Sequence, residues 1–338
     1  MMRALLTRWA QSRQPLSSPP TDPLPEMQYV TLGQTGLRVS VAGLGGGGHS
    51  RLGLSTGKSP ASAIAVVRQA IDWGINLIDT AEAYGSEAVI GQAIRPHDRD
   101  RLVLSTKKQP LDKRGQVISP QTLQRSLERS LKALKTEYID IYYLHGVKPQ
   151  HYDSVVQMLM PTLEKLRDQG KIRFLGVTES FTRDPGHHML TRALDDDCWD
   201  MMMAGFNCIN QTAKIALLPK ASEKGIGVLG MFAVRNALRS PETLTAAVKT
   251  LQAQDVLDTA MSPEIICSLF EHPLVVSVPD LAYRYCRHQS GIDGVMFGTG
   301  SLKHLHQNIA SLLRPPLPDD ITGSLDQIFS PVLTFTGN

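Results

Sequence analysis

The sequence predicts an α/β protein, a (β/α)8 barrel (the TIM-barrel architecture) with an N-terminal β-hairpin closing its bottom. Three observations lead there. Short, nearly continuous apolar runs alternate with longer amphipathic stretches from residue 39 to residue 313. Apolar strands spaced by helices favour a parallel sheet buried on both faces. The alternation repeats eight times, which favours a closed barrel over an open doubly wound sheet.

In chain order, YVTLGQTGLRVS reads as two short strands joined at Gly33-Gln34-Thr35-Gly36, a hairpin ahead of the first barrel strand. VSVAGLG (39–45) is apolar and ends in glycine, and ASAIAVVRQAIDW (61–73) has apolar positions at helical spacing. INLID (75–79) is a strand, SEAVIGQAI (86–94) a helix and RLVLSTK (101–107) a strand. Ser119 and Pro120 open a helix over 119–135 as N-cap and first helical residue. YIDIYYLH (138–145) is a strand, and the helix over 152–169 stops at Gly170. RFLGVTE (173–179), DMMMAGFN (200–207) and GIGVLGMF (225–232) are strands, with helices near 184–195 and 212–224. Residues 241–270 read as inserted helices, and VSVPDLAYRYCRH (276–288) as a helix with Pro279 near its start. DGVMFGT (293–299) and SLKHLHQNIASLL (301–313) supply the last strand and helix.

The 338 residues are 42% hydrophobic and 20% charged, ordinary for a globular protein. No run of about 18 apolar residues exists, which predicts no membrane span. A net charge of +3 without a sustained Lys/Arg run argues against nucleic acid as a partner. Cys198, Cys208, Cys267 and Cys286 form no CxxC pair and no zinc-ligand spacing, so they read as core residues in a reducing compartment, and no metal site is expected. Residues 1–21 hold Arg3, Arg8 and Arg13 and no acid, and prolines follow at Pro15, Pro19, Pro20, Pro23 and Pro25. The head, 1–26, reads either as a mitochondrial-type transit segment or as a disordered tail before a single domain over 27–338. The expected location is cytoplasmic, or mitochondrial if the head is a transit segment.

In such barrels the chemistry sits at the C-terminal ends of the strands. There the chain places Asp79 with Tyr84 in the next loop, then Ser105-Thr106-Lys107-Lys108, then His145. Each residue alone has a structural explanation: a solvated strand end, a loop aromatic, a surface lysine, a satisfied imidazole. Together they fit one chemistry. A free tyrosine, with a pKa of about 10, is a sluggish acid at neutral pH. A neighbouring ammonium favours its phenolate, and a carboxylate keeps that ammonium charged. An imidazole orients a substrate oxygen. The set delivers a proton to a carbonyl oxygen as negative charge builds there, and a hydride from a reduced nicotinamide fits best as the attacking group.

The segments TLGQTGLRVS, NLIDTAEAYGSEAVIGQAI, LSTK, DIYYLH, GKIRFLGVTES, FNCINQ and GTGSLKHLHQNI jointly resemble the aldo-keto reductase family, from about Met27 to Leu313. The resemblance implies reversible, nicotinamide-dependent reduction of a small carbonyl substrate to the alcohol. It implies Tyr84 as general acid, Lys107 as its neighbour, Asp79 as the lysine's partner and His145 as the orienting donor. It also implies cofactor contacts. Thr178 and Glu179 occupy the Ser-Asn position that holds the carboxamide, although an ionised Glu179 accepts and cannot donate. The amide position of the next strand falls on Met201–Met203, with Asn207 or Gln211 as compensators. The ring that stacks on nicotinamide maps to Met231 or Phe232, with Phe232 preferred. Gly298, Thr299 and Gly300 would let the backbone approach a phosphate at a helix N-terminus, and Asn308 matches an adenine contact. Where NADPH-preferring members place Lys and Arg, this chain has Gly298 and His304, so the cofactor is NADP(H) or NAD(H). Read from its own residues, the loop Gly45-Gly46-Gly47-Gly48-His49-Ser50 is either a substrate contact through His49 or a mobile glycine-rich turn. The alternatives are a nucleotide-binding regulator on the same scaffold and a Schiff-base enzyme using Lys107 or Lys108.

Overall fold

The computed structural model describes residues 23–259, residue 269 and residues 272–338. Most of the head, Cys267 and the end of the 241–270 insertion lie outside the described residues.

Strands β1 (Tyr29–Thr31) and β2 (Arg38–Ser40) pair antiparallel. Eight parallel strands then close a barrel: β3 (Ala42–Gly45), β4 (Leu77–Asp79), β5 (Val103–Lys108), β6 (Ile139–Val147), β7 (Ile172–Glu179), β8 (Met201–Gly205), β9 (Gly227–Met231) and β10 (Gly294–Phe297). They follow one another around the barrel in chain order, and β10 pairs with β3 to close it. The eightfold alternation read from the sequence is therefore the barrel itself.

Side chains along a strand point alternately to opposite faces, and two cores follow. Leu77, Val103, Ile141, Tyr143, Met201, Met203, Leu229 and Met296 fill the barrel interior. Ile78, Leu104, Tyr142, Leu144, Met202 and Val228 face outward into the shell made by the helices. The run Met201–Met203 is thus core, split between the two layers. Leu32, Leu37 and Val39 of the hairpin join the interior cluster from below. Gly33, at φ 45°, sits so close to the start of β9 that a Cβ there would lie 2.4 Å from the Gly225 oxygen. Only glycine permits that approach. Gln34 N donates to the same oxygen at 2.8 Å, so the hairpin plugs the bottom of the barrel.

The helices follow their local signals. Pro120–Leu134 begins with the Ser119 side chain accepting from Thr122 N, and Pro60–Asp72 begins the same way with Ser59 and Ser62 N. Val278–Arg287 tolerates Pro279 in its first turn, where no intrahelical N–H is needed. The stretch 212–224 differs from expectation and forms two short helices, Ala213–Ala216 and Leu218–Glu223. Pro219 cannot continue a helix from behind, so the break falls before it. Pro241–Ala253 is the helix formed by the described residues of the insertion. A further helix, Asp319–Phe329, carries Gly323 in its middle and was not legible from propensity. Among the described residues no helix is long and apolar enough to cross a membrane.

Candidate active site

β4 and β5 pair with Asp79 opposite Ser105, so inward parity places Asp79, Ser105 and Lys107 on one wall at the top of the barrel. Asp79 Oδ1 accepts from the Lys107 ammonium and from Ser105 Oγ. Lys107 Nζ also donates to the Thr80 carbonyl at 2.8 Å. Lys107 is 1% exposed. Burial pulls its pKa down, while Asp79 and Glu87 act to keep it charged. The next residue points the other way: Lys108 pairs with Glu82 at 2.5 Å, which also takes Arg129 and Ser126. Burial would raise the Glu82 carboxyl, but Arg129, Lys108 and Ser126 bring it down to about 2. Lys107 and Lys108, adjacent in sequence, thus belong to separate networks.

Tyr84 stands above this pair in a short 3-10 turn, Glu82–Tyr84. Its Oη lies 3.2 Å from His145 Nε2, and the two rings meet edge to face at 5.4 Å. The glycine run after β3 is the reason the ring fits. A Cβ on Gly47 would lie 2.5 Å from Tyr84 Cε2, and one on Gly46 would lie 2.6 Å from Ser86 Oγ. The loop is therefore a wall packed against the phenol, while His49 is exposed. Burial pushes the Tyr84 phenol well above its ordinary value and Asp79 adds to the push, with Arg51 working against both. The lowering expected from the sequence does not prevail, because burial and then the Asp79 charge disfavour the phenolate. His145 is driven down to about 3 by burial and then by Lys107, so the imidazole is neutral.

The four residues Asp79, Tyr84, Lys107 and His145 thus come together at one end of β4, β5 and β6. The remaining candidates divide. Thr178 lies beside them, its Oγ1 accepting from Gly146 N at 2.8 Å. Glu179 is fully enclosed and bonded elsewhere: it meets His187 Nδ1 at 2.9 Å and accepts from Gly205 N at 2.7 Å. Asn207 donates to the Phe232 and Thr336 carbonyls and accepts from Ile209 N and Asn210 N, which ties the C-terminal tail across the barrel mouth. Gln211 does the same with the Leu325 carbonyl. Phe232 adopts φ 67°, uncommon for a side-chain-bearing residue. It is 37% exposed, stacks near-parallel with Phe181, and carries the Arg235 guanidinium 4.3 Å from its centroid.

Gly298, Thr299 and Gly300 run from β10 into the helix Leu302–Leu313. A Cβ on Gly298 would lie 3.3 Å from the Gly45 oxygen, and one on Gly300 2.4 Å from Gly53 Cα. Thr299 Oγ1 accepts from Ser301 N, and Ser301 caps the helix. His304 and Asn308 lie four residues apart on that helix, hence on one face. Burial lowers the His304 pKa, and Lys303 and Lys58 lower it further. Lys58, whose Nζ donates to the Gly300 carbonyl at 2.6 Å, is a cation that sequence reasoning missed. It lies 242 residues from its partner and carries no local motif. Arg51 beside Tyr84 was missed for the same reason.

The barrel thus brings a carboxylate, a phenol, an ammonium and an imidazole to adjoining strand ends. The Aldo/keto reductase family pattern matches residues 43–329, and the chain belongs to that family. L-galactose dehydrogenase of Arabidopsis thaliana is 26% identical over 92% of this chain and 97% of its own length. The NADH-specific methylglyoxal reductase of Escherichia coli is 25% identical, over 85% of this chain and 94% of its own. An aldo-keto reductase of Bacillus subtilis is 36% identical over 45% of this chain and 47% of its own. In fold, the holo form of an aldo-keto reductase from Bacillus halodurans superposes with a TM-score of 0.68 at 21% identity, covering 89% of this chain and 96% of that one.

Proposed function

We propose that this chain, as one unit over 27–338, is an NAD(P)H-dependent oxidoreductase interconverting an aldehyde, ketone or sugar with its alcohol. The observation that carries the reading is the stack at the barrel mouth: a buried Asp79–Lys107 pair beneath a protonated Tyr84 in contact with a neutral His145. A nicotinamide nucleotide fits the chain best at its phosphate end. There Gly298 and Gly300 leave no side chain in the way, Lys58, Lys303 and His304 gather, and the first turn of the helix has no acid. At the other end Thr178 retains its hydroxyl proton to donate, while Glu179 is committed to His187.

When bound, a reduced nicotinamide supplies the hydride. His145 holds the carbonyl oxygen through Nε2, and Tyr84 delivers the proton as charge builds on that oxygen. Lys107 compensates the phenolate left behind. Asp79 keeps Lys107 charged where a lone buried ammonium would lose its proton. So paired, Lys107 acts as a fixed charge, which disfavours the Schiff-base reading. One observation favours a nucleotide-binding regulator with little turnover: Glu179 and Asn207 are both satisfied within the protein. Titrating the chain with NADPH and NADH by nicotinamide fluorescence, then adding a panel of aldehydes, ketones and sugars, separates the readings. Binding with turnover supports the reductase, binding without turnover the regulator, and no binding defeats both.

A further inference from the structure

Lys107 lies between two tyrosine rings. Its Nζ is 5.4 Å from the Tyr84 centroid and 5.7 Å from that of Tyr143. Two of its three N–H donors go to Asp79 and the Thr80 carbonyl. Among the described residues the third has no bonded acceptor and is left to the ring faces. Tyr143 is fully buried in the barrel interior, two residues before His145 and on the same inward face of β6. The ring has a built seat: a Cβ on Gly176 of the neighbouring strand would lie 2.4 Å from Tyr143 Cδ1. Its hydroxyl has no hydrogen-bond partner among the described residues. An orphan buried hydroxyl costs stability that phenylalanine would not, so the ring is the part this position uses.

We infer that Tyr143 is a positioning residue whose ring, from inside the barrel, holds the Lys107 ammonium charged and in place beneath Tyr84. The inference rests on the role proposed for Lys107. A cation within about 6 Å of an aromatic centroid is attracted to it, and more strongly when both are desolvated. The other groups facing Lys107 are Asp79 from β4, Tyr84 from the turn after it, Glu87 from the helix Glu87–Ile94, and His145 from β6. None of them supplies a ring from below.

The test follows the Lys107 Nζ titration by 15N-lysine NMR, with Lys107→Met assigning the resonance. Tyr143→Met removes the ring while approximating its volume. The titration midpoint should fall by about half to one and a half pH units. The alkaline limb of kcat for carbonyl reduction should fall with it, and the KM for nucleotide should hold. Tyr143→Phe, which keeps the ring, should restore the midpoint. Equal midpoints in wild type and Tyr143→Met, or in the Phe and Met variants, would overturn the inference. Tyr143→Leu replaces the Met variant if that one does not fold. The NMR arm needs no turnover. A wild-type chain that reduces nothing therefore defeats the proposed function and leaves this result standing.

Discussion

At 1% exposure Lys107 would be an uncompensated buried charge were Asp79 not beside it. The same burial makes His145 a pH sensor of folding. Its folded pKa is about 3, against about 6.5 when unfolded. Between those values the unfolded chain takes up a proton that the folded chain excludes. Stability is therefore full above pH ~6.5 and falls as pH drops toward 3, by up to ~1.4 kcal/mol per pH unit. Urea unfolding at pH 7 and pH 4 should show His145→Gln losing less between the two than wild type does. Identical losses would contradict the assignment. At this scale the tetrad was legible, because each member ends a strand or follows one. Lys58, Arg51 and Tyr143 were not, because their importance lies in what the fold brings near them. Glu179 was legible as a position but not as a partner of His187, whose bond spans 8 residues without a motif.

Elements place these residues by parity and close approach. Asp79, Ser105 and Lys107 face inward because side chains on β4 and β5 alternate, and a one-residue slip would turn all three into the helical shell. The glycine run after β3 acts by having no side chains, since Gly47 lies against the Tyr84 ring. Gly47→Ala should push the phenol out of line and lower kcat for carbonyl reduction at least ~10-fold. Its melting temperature should stay within a few degrees of wild type. Steady-state kinetics beside a thermal melt checks this, and an unchanged kcat would show that the loop does not support the ring. The sequence marked this run as glycine-rich but not what pressed on it. Helix boundaries were readable where Ser caps and Pro follows, as at Ser119-Pro120. They failed at Leu217, where Pro219 splits a periodic stretch, and at Asp319–Phe329, where Gly323 hides a helix.

For the molecule as a whole, the proposed function puts stability and chemistry at opposite ends of the barrel. The hairpin residues Leu32, Leu37 and Val39 fill the bottom, and the tetrad lines the top. Leu32→Ala should cost ~2–5 kcal/mol of stability by opening a cavity, while kcat per folded molecule stays near wild type. Denaturant unfolding with parallel kinetics measures both, and a large loss of kcat at preserved stability would break this division. The barrel was legible because its strands follow one another in chain order around the ring. The C-terminal tail was not, because Asn207, Asn210 and Gln211 hold it by bonds to its backbone carbonyls, which no side-chain pattern in the tail announces.

The central claim is that Tyr84 donates the proton to the substrate oxygen, and Tyr84→Phe tests it most directly. That change keeps the ring against Gly47 and removes only the donor. Nucleotide affinity, read by nicotinamide fluorescence, should stay within a few-fold of wild type, and carbonyl reduction at saturating nucleotide should fall by about 100-fold or more. Reduction at the wild-type rate in that variant would contradict the account.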